Sequence, residues 1–508
     1  MIESHPPHRA VVIGAGIGGL AGAMRLAAKG WDVTVIDRLD AVGGRGSAIH
    51  QGGYRFDLGP TIVTVPQVFR DLWAATGADF DADVDLRPLD PFYEIRWPDG
   101  SALKVVPGQD RMREEVRRMS PGDVAGYDLF LKDAEARYRI GFEDLGTRPM
   151  HQVAELLKVL PTFARMRADR SILGHAKRRF RDPRLQMAFS FHPLFIGGDP
   201  SRVTSMYALV SHLEATFGVH YAMGGVAAIA AAMRRRIEAL GGRVRLGVEA
   251  DEILVEGGRA AGVRTAKGET IPADLVVSNA DVGVTYGRLL KGRAKRWTDR
   301  RLRRAAWSMG LYVWYFGTRG TRAMWRDVGH HTILNGPRYE ALLTDLFRRG
   351  RLTEDFSLYI HRPSVTDPSV APAGDDGFYV LAPVPHLGHR DPVDWRVEEP
   401  RHKARILAVL EGLMPGIGAR ITEELVFTPE TFRDRYLAPM GTGFSLEPLI
   451  LQSAWFRPHN VSEELPGLYL VGASTHPGAG LPGVVASAEV LGKLVPDVAR
   501  APVRVAAE

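Results

Sequence analysis

Short apolar runs that end in glycine or in an acidic residue mark the first predicted elements of the chain. Residues 10–13 are apolar and lead into Gly14, an Ala-rich segment continues to Gly30, and a second apolar run over residues 33–36 ends in Asp37. The Ala-rich segment has the composition of a helix, and the two apolar runs have the length of buried strands. The predicted order is therefore strand, glycine turn, helix, strand and acid.

The same patterning predicts elements farther along the chain. Residues 309–317, MGLYVWYFG, show almost no polar alternation, which predicts a strand buried on both faces. The other predicted elements are a hairpin over residues 90–100, helices over 121–140 and 223–242, and apolar strands that open the segments 273–282 and 467–495.

The first strand, turn and helix carry the spacing of a dinucleotide-binding site. Gly14 allows the tight turn, Gly16 lets a pyrophosphate approach the backbone, and Gly19 lets the helix lie close to the strand. The start of the helix offers free N–H groups to phosphates. Asp37 lies 18 residues beyond Gly19 (19 to 37), where a carboxylate accepts a hydrogen bond from a ribose hydroxyl. We therefore expect a bound dinucleotide.

Composition narrows the possible chemistry. The 508-residue chain is long enough for two or three domains, and it contains no cysteine. Disulfides, thiolate metal sites and iron–sulfur clusters are thereby excluded, so redox chemistry must come from an organic cofactor. The net charge of +6, with no basic run among aromatic residues, gives no indication of nucleic-acid binding. We expect neither a signal peptide nor a membrane-spanning segment, since no apolar run approaches about 18 residues.

Three more motifs accompany the dinucleotide pattern. Gly43, Gly44 and Arg45 form a second tight turn, from which the arginine can reach a pyrophosphate. Residues 53–61, GYRFDLGPT, predict a short strand that enters a Gly-Pro turn. The glycines of residues 472–483 leave the backbone bare ahead of a helix, where a flat ring could approach the positive end of the helix dipole.

Together these motifs resemble the amine oxidase and phytoene desaturase superfamily of FAD proteins. GAGIGG, GGR at 43–45 and FDLGPT at 56–61 carry the likeness near the start, and residues 468–490 are similar to the signature of bacterial carotenoid desaturases. The likeness covers nearly the whole chain and is strongest to bacterial phytoene desaturases of purple phototrophic bacteria. The central segments that carry it are residues 191–200, 217–233, 357–372 and 451–460.

The resemblance implies an α/β fold, α+β overall. It comprises a discontinuous Rossmann-like FAD-binding domain, a mixed-sheet substrate domain and a helical, membrane-facing region. The expected boundaries are residues 1–75, 220–295 and 455–500 for the FAD-binding domain, 76–130 and 296–454 for the substrate-binding domain, and 131–219 for the helical region.

The motifs and the resemblance together predict which residues bind FAD. Ser474 stands where the family often has glycine, and its hydroxymethyl group would crowd or hydrogen-bond the flavin region. The predicted FAD-binding residues are Gly14, Ala15, Gly16, Gly19, Asp37, Arg38, Gly44, Arg45, Pro60, Thr61, Val248, Asn279, Gly472, Gly483 and Val484.

The segment 151–185 admits two interpretations. Apolar residues recur at helical spacing from Val153 to Phe163, and the segment carries nine Lys/Arg against three Asp/Glu. This pattern is typical of an interfacial membrane helix, and equally of a surface helix that packs on the core with its basic face in water. A lipophilic substrate favours membrane contact.

Few catalytic side chains are expected. Glu155 and Lys158 lie one helical turn apart and could move a proton, although this spacing favours an exposed ion pair. His192, in the apolar FHPLF segment, is a third candidate. The Glu155→Gln variant is expected to retain flavin and to lose most of its turnover. No metal site is predicted, because the adjacent His330 and His331 should face opposite sides of a strand.

The implied activity is FAD-dependent desaturation of phytoene, a lipophilic polyene. Hydride transfer to flavin and proton loss would give neurosporene in three steps or lycopene in four. The alternatives are a related dehydrogenase or isomerase of a modified polyene, a flavin amine oxidase, and a non-catalytic prenyl-chain binder of the same fold. Because the chain has no second nucleotide motif, we expect a quinone or oxygen as the electron acceptor. The expected location is the cytoplasmic side of the inner membrane, and a homo-oligomer is compatible with the sequence.

Overall fold

The computed structural model describes residues 8–498. The strands are β1 (Arg9–Ile13), β2 (Asp32–Ile36), β3 (Ala48–Gln51), β4 (Tyr54–Asp57), β5 (Leu86–Pro88), β6 (Tyr93–Arg96), β7 (Ala102–Val105), β8 (His220–Ala222), β9 (Arg243–Arg245), β10 (Ala250–Glu256), β11 (Arg259–Thr265), β12 (Thr270–Pro272), β13 (Leu275–Ser278), β14 (Gly310–Thr318), β15 (His331–Leu334), β16 (Leu358–His361), β17 (Asp376–Val384), β18 (Ile421–Phe427) and β19 (Leu468–Leu470).

The helices lie between these strands, together with short 3₁₀ and π turns. They are α1 (Ile17–Ala28), α2 (Gln67–Ala74), α3 (Phe80–Asp83), α4 (Gln109–Met119), α5 (Val124–Tyr138), α6 (Val153–Arg165), α7 (Ile172–Arg179), α8 (Pro183–Ala188), α9 (Leu209–Phe217), α10 (Gly225–Ala239), α11 (Val282–Val284), α12 (Asp299–Arg304), α13 (Tyr339–Thr344), α14 (Trp395–Leu413), α15 (Pro429–Tyr436) and α16 (Leu481–Leu494).

A five-stranded parallel sheet collects strands from the start, the middle and the end of the chain, in the order β19-β13-β1-β2-β9. Its three inner strands, β13, β1 and β2, are largely apolar and buried, as expected for strands that are covered on both faces. Val12 faces the helical layer of α1, α10 and α16, whereas Val11 faces the small antiparallel sheet β10-β11-β12. The carboxyl ends of β1, β2 and β13 therefore meet along one edge.

A seven-stranded mixed sheet lies beside it, in the order β18-β14-β17-β16-β15-β6-β7. All nine residues of β14 are buried, which confirms the strand predicted from the absence of polar alternation. Leu311, Val313 and Tyr315 face one core, and Tyr312, Trp314 and Phe316 face the other, which α14 covers. The predicted hairpin is also confirmed, because β6 and β7 pair antiparallel around the turn at Asp99-Gly100.

Helix α6 lies within residues 151–185, for which the sequence allowed either an interfacial membrane helix or a surface helix that packs on the core. It begins at Val153, and of its described residues only Val159 is buried. Val153, Leu157 and Leu160 are exposed to 55%, 61% and 46%. Part of the apolar stripe thus faces outward, while Val159 and Phe163 pack against Leu145 and Met150. Within residues 8–498, no helix combines the length and hydrophobicity needed to cross a bilayer.

One buried carboxylate should make stability depend on pH. Glu447 accepts hydrogen bonds from the Asp199 N–H and from Arg202, both at 3.2 Å, yet burial raises its pKa from 4.5 to about 7. The folded state therefore binds this proton more tightly than the unfolded state, and stability falls as pH rises from about 4.5 to about 7.

The Glu447→Gln variant should remove this dependence. Since glutamine carries no charge, we expect the variant to be more stable than the parent at pH 8, by about 2 kcal/mol, and to lose that advantage near pH 5. Denaturant unfolding at both pH values measures the difference. An equal effect at pH 5 and pH 8 would contradict this role of Glu447.

Candidate active site

The turn between β1 and α1 leaves its backbone open to a ligand. Gly14 has a φ of +97°, which glycine adopts without strain, and its N–H donates to the Ile36 carbonyl at 2.8 Å. A Cβ at Gly19 would collide with the Gly14 carbonyl, and one at Gly16 would lie 2.8 Å from Asn279 Nδ2. Helix α1 starts after Gly16 with no acidic residue in its first turn, so its free N–H groups favour an anion.

Asp37 directly follows β2, and its side chain contacts the turn between β1 and α1. Its Oδ2 accepts from the Ala15 N–H at 2.7 Å and its Oδ1 from the Leu39 N–H at 2.8 Å. Burial raises its pKa, and these two hydrogen bonds oppose that shift. Each oxygen keeps a second lone pair, and the carboxylate lines the cavity beside Val248. It can therefore accept a ribose hydroxyl, as the spacing predicts.

Arg45 places a positive charge beside the turn, 5.7 Å from the centre of the Tyr436 ring. Its guanidinium lines the cavity, and its Nε and Nη2 have no hydrogen-bond partner among the described residues. Burial lowers its pKa, and nearby Asp281 opposes that shift. Two buried guanidinium nitrogens without hydrogen-bond partners are costly unless they meet an anion. The residues present thus fit a pyrophosphate, and with Asp37 they fit the adenosine half of FAD.

The C-terminal loop lies against the same turn. Gly472 packs behind the cavity, where its N–H donates to Ser487 Oγ at 2.8 Å and a Cβ would collide with Asn279. Ser474 Oγ accepts from the Val282 N–H at 3.1 Å. Gly483 and Val484, in the first turn of α16, line the cavity. The positive end of α16 therefore faces the cavity, as the glycine-rich loop predicts.

The predicted FAD-binding residues divide into lining and supporting positions. Ala15, Gly19 and Gly472 support the turn from behind. Arg38 lines the cavity edge while its Nη1 donates to the carbonyls of Asp434 and Arg435, both at 2.8 Å. The residues that line the cavity are Gly14, Gly16, Asp37, Arg38, Gly44, Arg45, Pro60, Thr61, Val248, Asn279, Gly483 and Val484.

The turn after β1, together with Asp37, Arg45 and the start of α16, is called the FAD cradle below. The FAD cradle is part of an apolar cavity of about 1020 Å³. The seven-stranded sheet contributes Leu311, Tyr359 and Tyr379 to its wall. At the far end the lining includes Leu160 of α6 and Leu451, which is 69% exposed. One continuous space therefore runs from the dinucleotide turn to an exposed apolar surface.

His192 lies in a buried polar cluster on the cavity wall. Its Nε2 is 3.3 Å from Glu214 Oε2 and 3.2 Å from the Tyr93 hydroxyl. Tyr93 donates to the same carboxylate oxygen at 2.9 Å. His192 and Glu214 line the cavity, and Ile196, at the end of the 3₁₀ turn that His192 begins, lies beside Gly480. A carboxylate is thus held among hydrocarbon side chains near the C-terminal loop.

The structure places Glu155 and Lys158 outside this cluster. Lys158 Nζ donates to Glu155 at 2.7 Å, and Arg148 lies 3.3 Å from the same carboxylate. The Lys158 hydrogen bond lowers the pKa of Glu155. Among the described residues that line the cavity are Leu156 and Leu160, but neither member of this ion pair. Their catalytic role stays a prediction.

Sequence reasoning missed Glu214 and Tyr93. Glu214 lies on α9 with Val210 four residues before it and Phe217 three residues after it. The sequence does contain one signal for Glu214, which is an acidic residue within an apolar helical stripe. Because a carboxylate is rarely buried unless it is paired, this position indicates a buried polar site. Tyr93 gives no such signal, since a buried tyrosine on a strand is ordinary.

The expectation that His330 and His331 face apart was wrong. Strand β15 begins at His331, so His330 precedes the strand and the alternation of side chains does not apply to the pair. Both side chains are buried, with ring centroids 4.4 Å apart.

Comparison with known proteins agrees with this architecture. Residues 17–489 match the family of flavin containing amine oxidoreductases. Phytoene desaturase (neurosporene-forming) of Cereibacter sphaeroides is 66% identical over 97% of this chain and 95% of its own. Phytoene desaturase (lycopene-forming) of a Paracoccus species is 43% identical over 97% of this chain and 99% of its own.

Solved structures share the fold at low identity. An oxidoreductase from Methanosarcina mazei has a TM-score of 0.65 at 18% identity, covering 96% of this chain and 100% of its own. Putrescine oxidase bound to putrescine has a TM-score of 0.63 at 15% identity, covering 96% and 98%. The resemblance and the FAD cofactor expected from the motifs are confirmed. The chain belongs to the flavin containing amine oxidoreductases, as an FAD-dependent oxidoreductase akin to the bacterial phytoene desaturases.

Proposed function

We propose that this protein desaturates phytoene to neurosporene in three steps. The observation that carries the proposal is the single apolar cavity that joins the FAD cradle to an exposed apolar surface. Relatives at 66% and 61% identity are neurosporene-forming phytoene desaturases, whereas three relatives named as lycopene-forming are less similar, at 43%, 41% and 40%.

Each step removes two hydrogens from neighbouring carbons of the chain-like substrate. FAD, when bound, supplies the acceptor for the hydride. The apolar wall, including Leu311 and Tyr379, holds the hydrocarbon in place and excludes water. The remaining hydrogen leaves as a proton, for which a base on the wall is needed.

Glu214 is the carboxylate that suits this task. Four other carboxylates that line the cavity have different surroundings: Asp37 and Glu249 lie at the ribose end, Asp281 caps α11, and Asp169 pairs with Arg167. Both hydrogen bonds to Glu214 end on Oε2, which leaves Oε1 to accept the proton. Tyr93 and His192 position the carboxylate.

A reconstituted assay tests the function. FAD-loaded protein is incubated with phytoene in liposomes, with a quinone or with oxygen as the acceptor, and the pigments are separated by chromatography. Neurosporene is the expected main product. Lycopene as the main product would overturn the three-step assignment, and unchanged phytoene with both acceptors would overturn the function itself.

We also propose that α6 and the neighbouring Leu451 form the site where substrate enters from the membrane. Val153, Leu157 and Leu160 are exposed on α6, and Leu160 lines the cavity as well. Lys158, Arg165 and Arg167 lie on or beside the same helix. Exposed apolar residues with flanking basic side chains favour an anionic bilayer surface. The protein would then act on the cytoplasmic side of the inner membrane.

The double variant Leu157→Ser/Leu160→Ser should bind vesicles less well. Because each leucine withdraws apolar area from water on insertion, we expect binding to anionic phosphatidylglycerol vesicles to fall at least about tenfold. Co-sedimentation measures it. The matched control is Leu129→Ser on α5, where leucine is also exposed, at 49%. Equal binding of the parent, double variant and control would contradict membrane entry at α6.

A further inference from the structure

Three histidines are buried together at the junction of β15 and β16. His331 and His361 are directly opposite each other in this antiparallel pair, and His330 precedes β15. The ring centroid of His361 lies 4.9 Å from that of His330 and 5.0 Å from that of His331. One ring nitrogen of each residue lies within 4.8 Å of the others.

The hydrogen bonds of these rings direct nitrogen atoms toward one another. His330 Nδ1 lies 2.6 Å from Thr366 Oγ1, and His331 Nδ1 lies 2.7 Å from the Tyr359 hydroxyl. Each of these two residues is therefore left with Nε2. His330 Nε2 is 3.0 Å from His361 Nε2, and His331 Nε2 is buried with no hydrogen-bond partner among the described residues.

We propose that His330, His331 and His361 bind one divalent transition-metal ion of the zinc class. Zinc binds imidazole nitrogen at about 2.0–2.1 Å, which separates tetrahedral ligands by about 3.4 Å. The Nε2 atoms of His330 and His361 are near that spacing, at 3.0 Å, and a ring nitrogen of His331 lies within 4.8 Å of a ring nitrogen of each. Thr366 and Tyr359 hold the Nδ1 atoms, as outer partners of metal-bound histidines do.

The surroundings suit a cation. Metal ligation requires neutral imidazole, and burial lowers the pKa of His330 to about 3 and keeps those of His331 and His361 well below the usual range. The Tyr221 ring packs on His330 and His361 and connects them to Arg55, Asp57 and Asp367. Arg55 pairs with Asp367 there, and burial raises the pKa of Asp57 to about 7, so a nearby cation would favour the ionised form of Asp57.

Such an ion would influence the cavity wall indirectly, through His331 and Tyr359. It would join β15 to β16 and fix the His331 ring, which holds the Tyr359 hydroxyl. That hydroxyl lies 2.5 Å from Thr61 Oγ1, and both residues line the cavity. The ion would therefore be structural, with a positioning effect on the wall near the FAD cradle.

Metal analysis of tag-free, FAD-loaded protein tests the proposal without substrate, so its outcome is independent of the desaturase assignment. Protein produced with added zinc and then desalted should retain one equivalent of zinc per chain. Cobalt in its place should give the visible absorption of a tetrahedral nitrogen site. A chelator should lower the melting temperature, and zinc should restore it.

The variants His331→Gln and His361→Gln should lose the ion and keep FAD. His402→Gln is the matched control, because His402 is buried on α14 with both ring nitrogens unpartnered among the described residues. Substoichiometric zinc in the parent, with no cobalt spectrum and no chelator effect, would overturn the proposal. So would full zinc retention by both variants. If the variants fail to fold, the parent measurements alone decide.

Discussion

The Gly16→Val variant is expected to purify as a colourless apoprotein. A Cβ at this position would already lie 2.8 Å from Asn279 Nδ2, and the larger valine would occupy the space through which the pyrophosphate approaches the backbone. We expect FAD affinity to fall by at least about 100-fold, in line with the loss of several charge-assisted hydrogen bonds. The absorption spectrum and the FAD content after desalting measure it.

Gly412→Val is the matched control for this variant. Gly412 is exposed on α14, and a Cβ there would meet nothing within 4 Å. The control should be as yellow as the parent. A yellow Gly16→Val protein with a full complement of FAD would show that the turn after β1 does not hold the pyrophosphate.

The Glu214→Gln variant is expected to bind FAD normally and to lose about 10²–10⁴-fold in desaturation rate, the usual contribution of a positioned base. Glutamine keeps the shape of the side chain and can still accept from Tyr93, but it cannot take up a proton. Product formed in the liposome assay, relative to bound FAD, measures the loss. Tyr93→Phe should give a smaller loss, because it removes one positioning hydrogen bond and leaves the base in place.

Glu155→Gln is the matched comparison, because it makes the same chemical change in the ion pair on α6. The sequence alone predicts that the Glu155→Gln variant loses most turnover, whereas under our proposal Glu214, on the cavity wall, accepts the proton and Glu155→Gln keeps most of its turnover. Rapid turnover by Glu214→Gln together with slow turnover by Glu155→Gln would reverse the assignment.

Local patterns explain why much of the fold was predictable. The β1 turn, the hairpin of β6 and β7 and the buried strand β14 each depend on residues close together in sequence, where periodicity and turn chemistry act directly. The placement of Gly14, Gly16 and Asp37 around one cavity was predictable for the same reason, since these residues belong to one short unit.

Contacts between distant segments could not be predicted in this way. Tyr93 and Glu214 are 121 residues apart, and His331 and Tyr359 are 28 apart. Such pairs form only when whole elements dock, which no local period encodes. The prediction for the histidine pair was wrong for a local reason. It assumed a strand that includes both His330 and His331, whereas β15 begins at His331.

The parallel sheet is built from the start, the middle and the end of the chain, and this affects how the protein folds during its synthesis. Because β19 pairs with β13 and forms an edge strand of the sheet, a nascent chain must carry β13 without its outer partner until residue 470 has left the ribosome. Pairing of strands that are so far apart in sequence is slow, and until it occurs the unpaired strand edges are prone to aggregation. Since α16 also lines the cavity, we expect FAD to bind stably only after residue 494 has been synthesised.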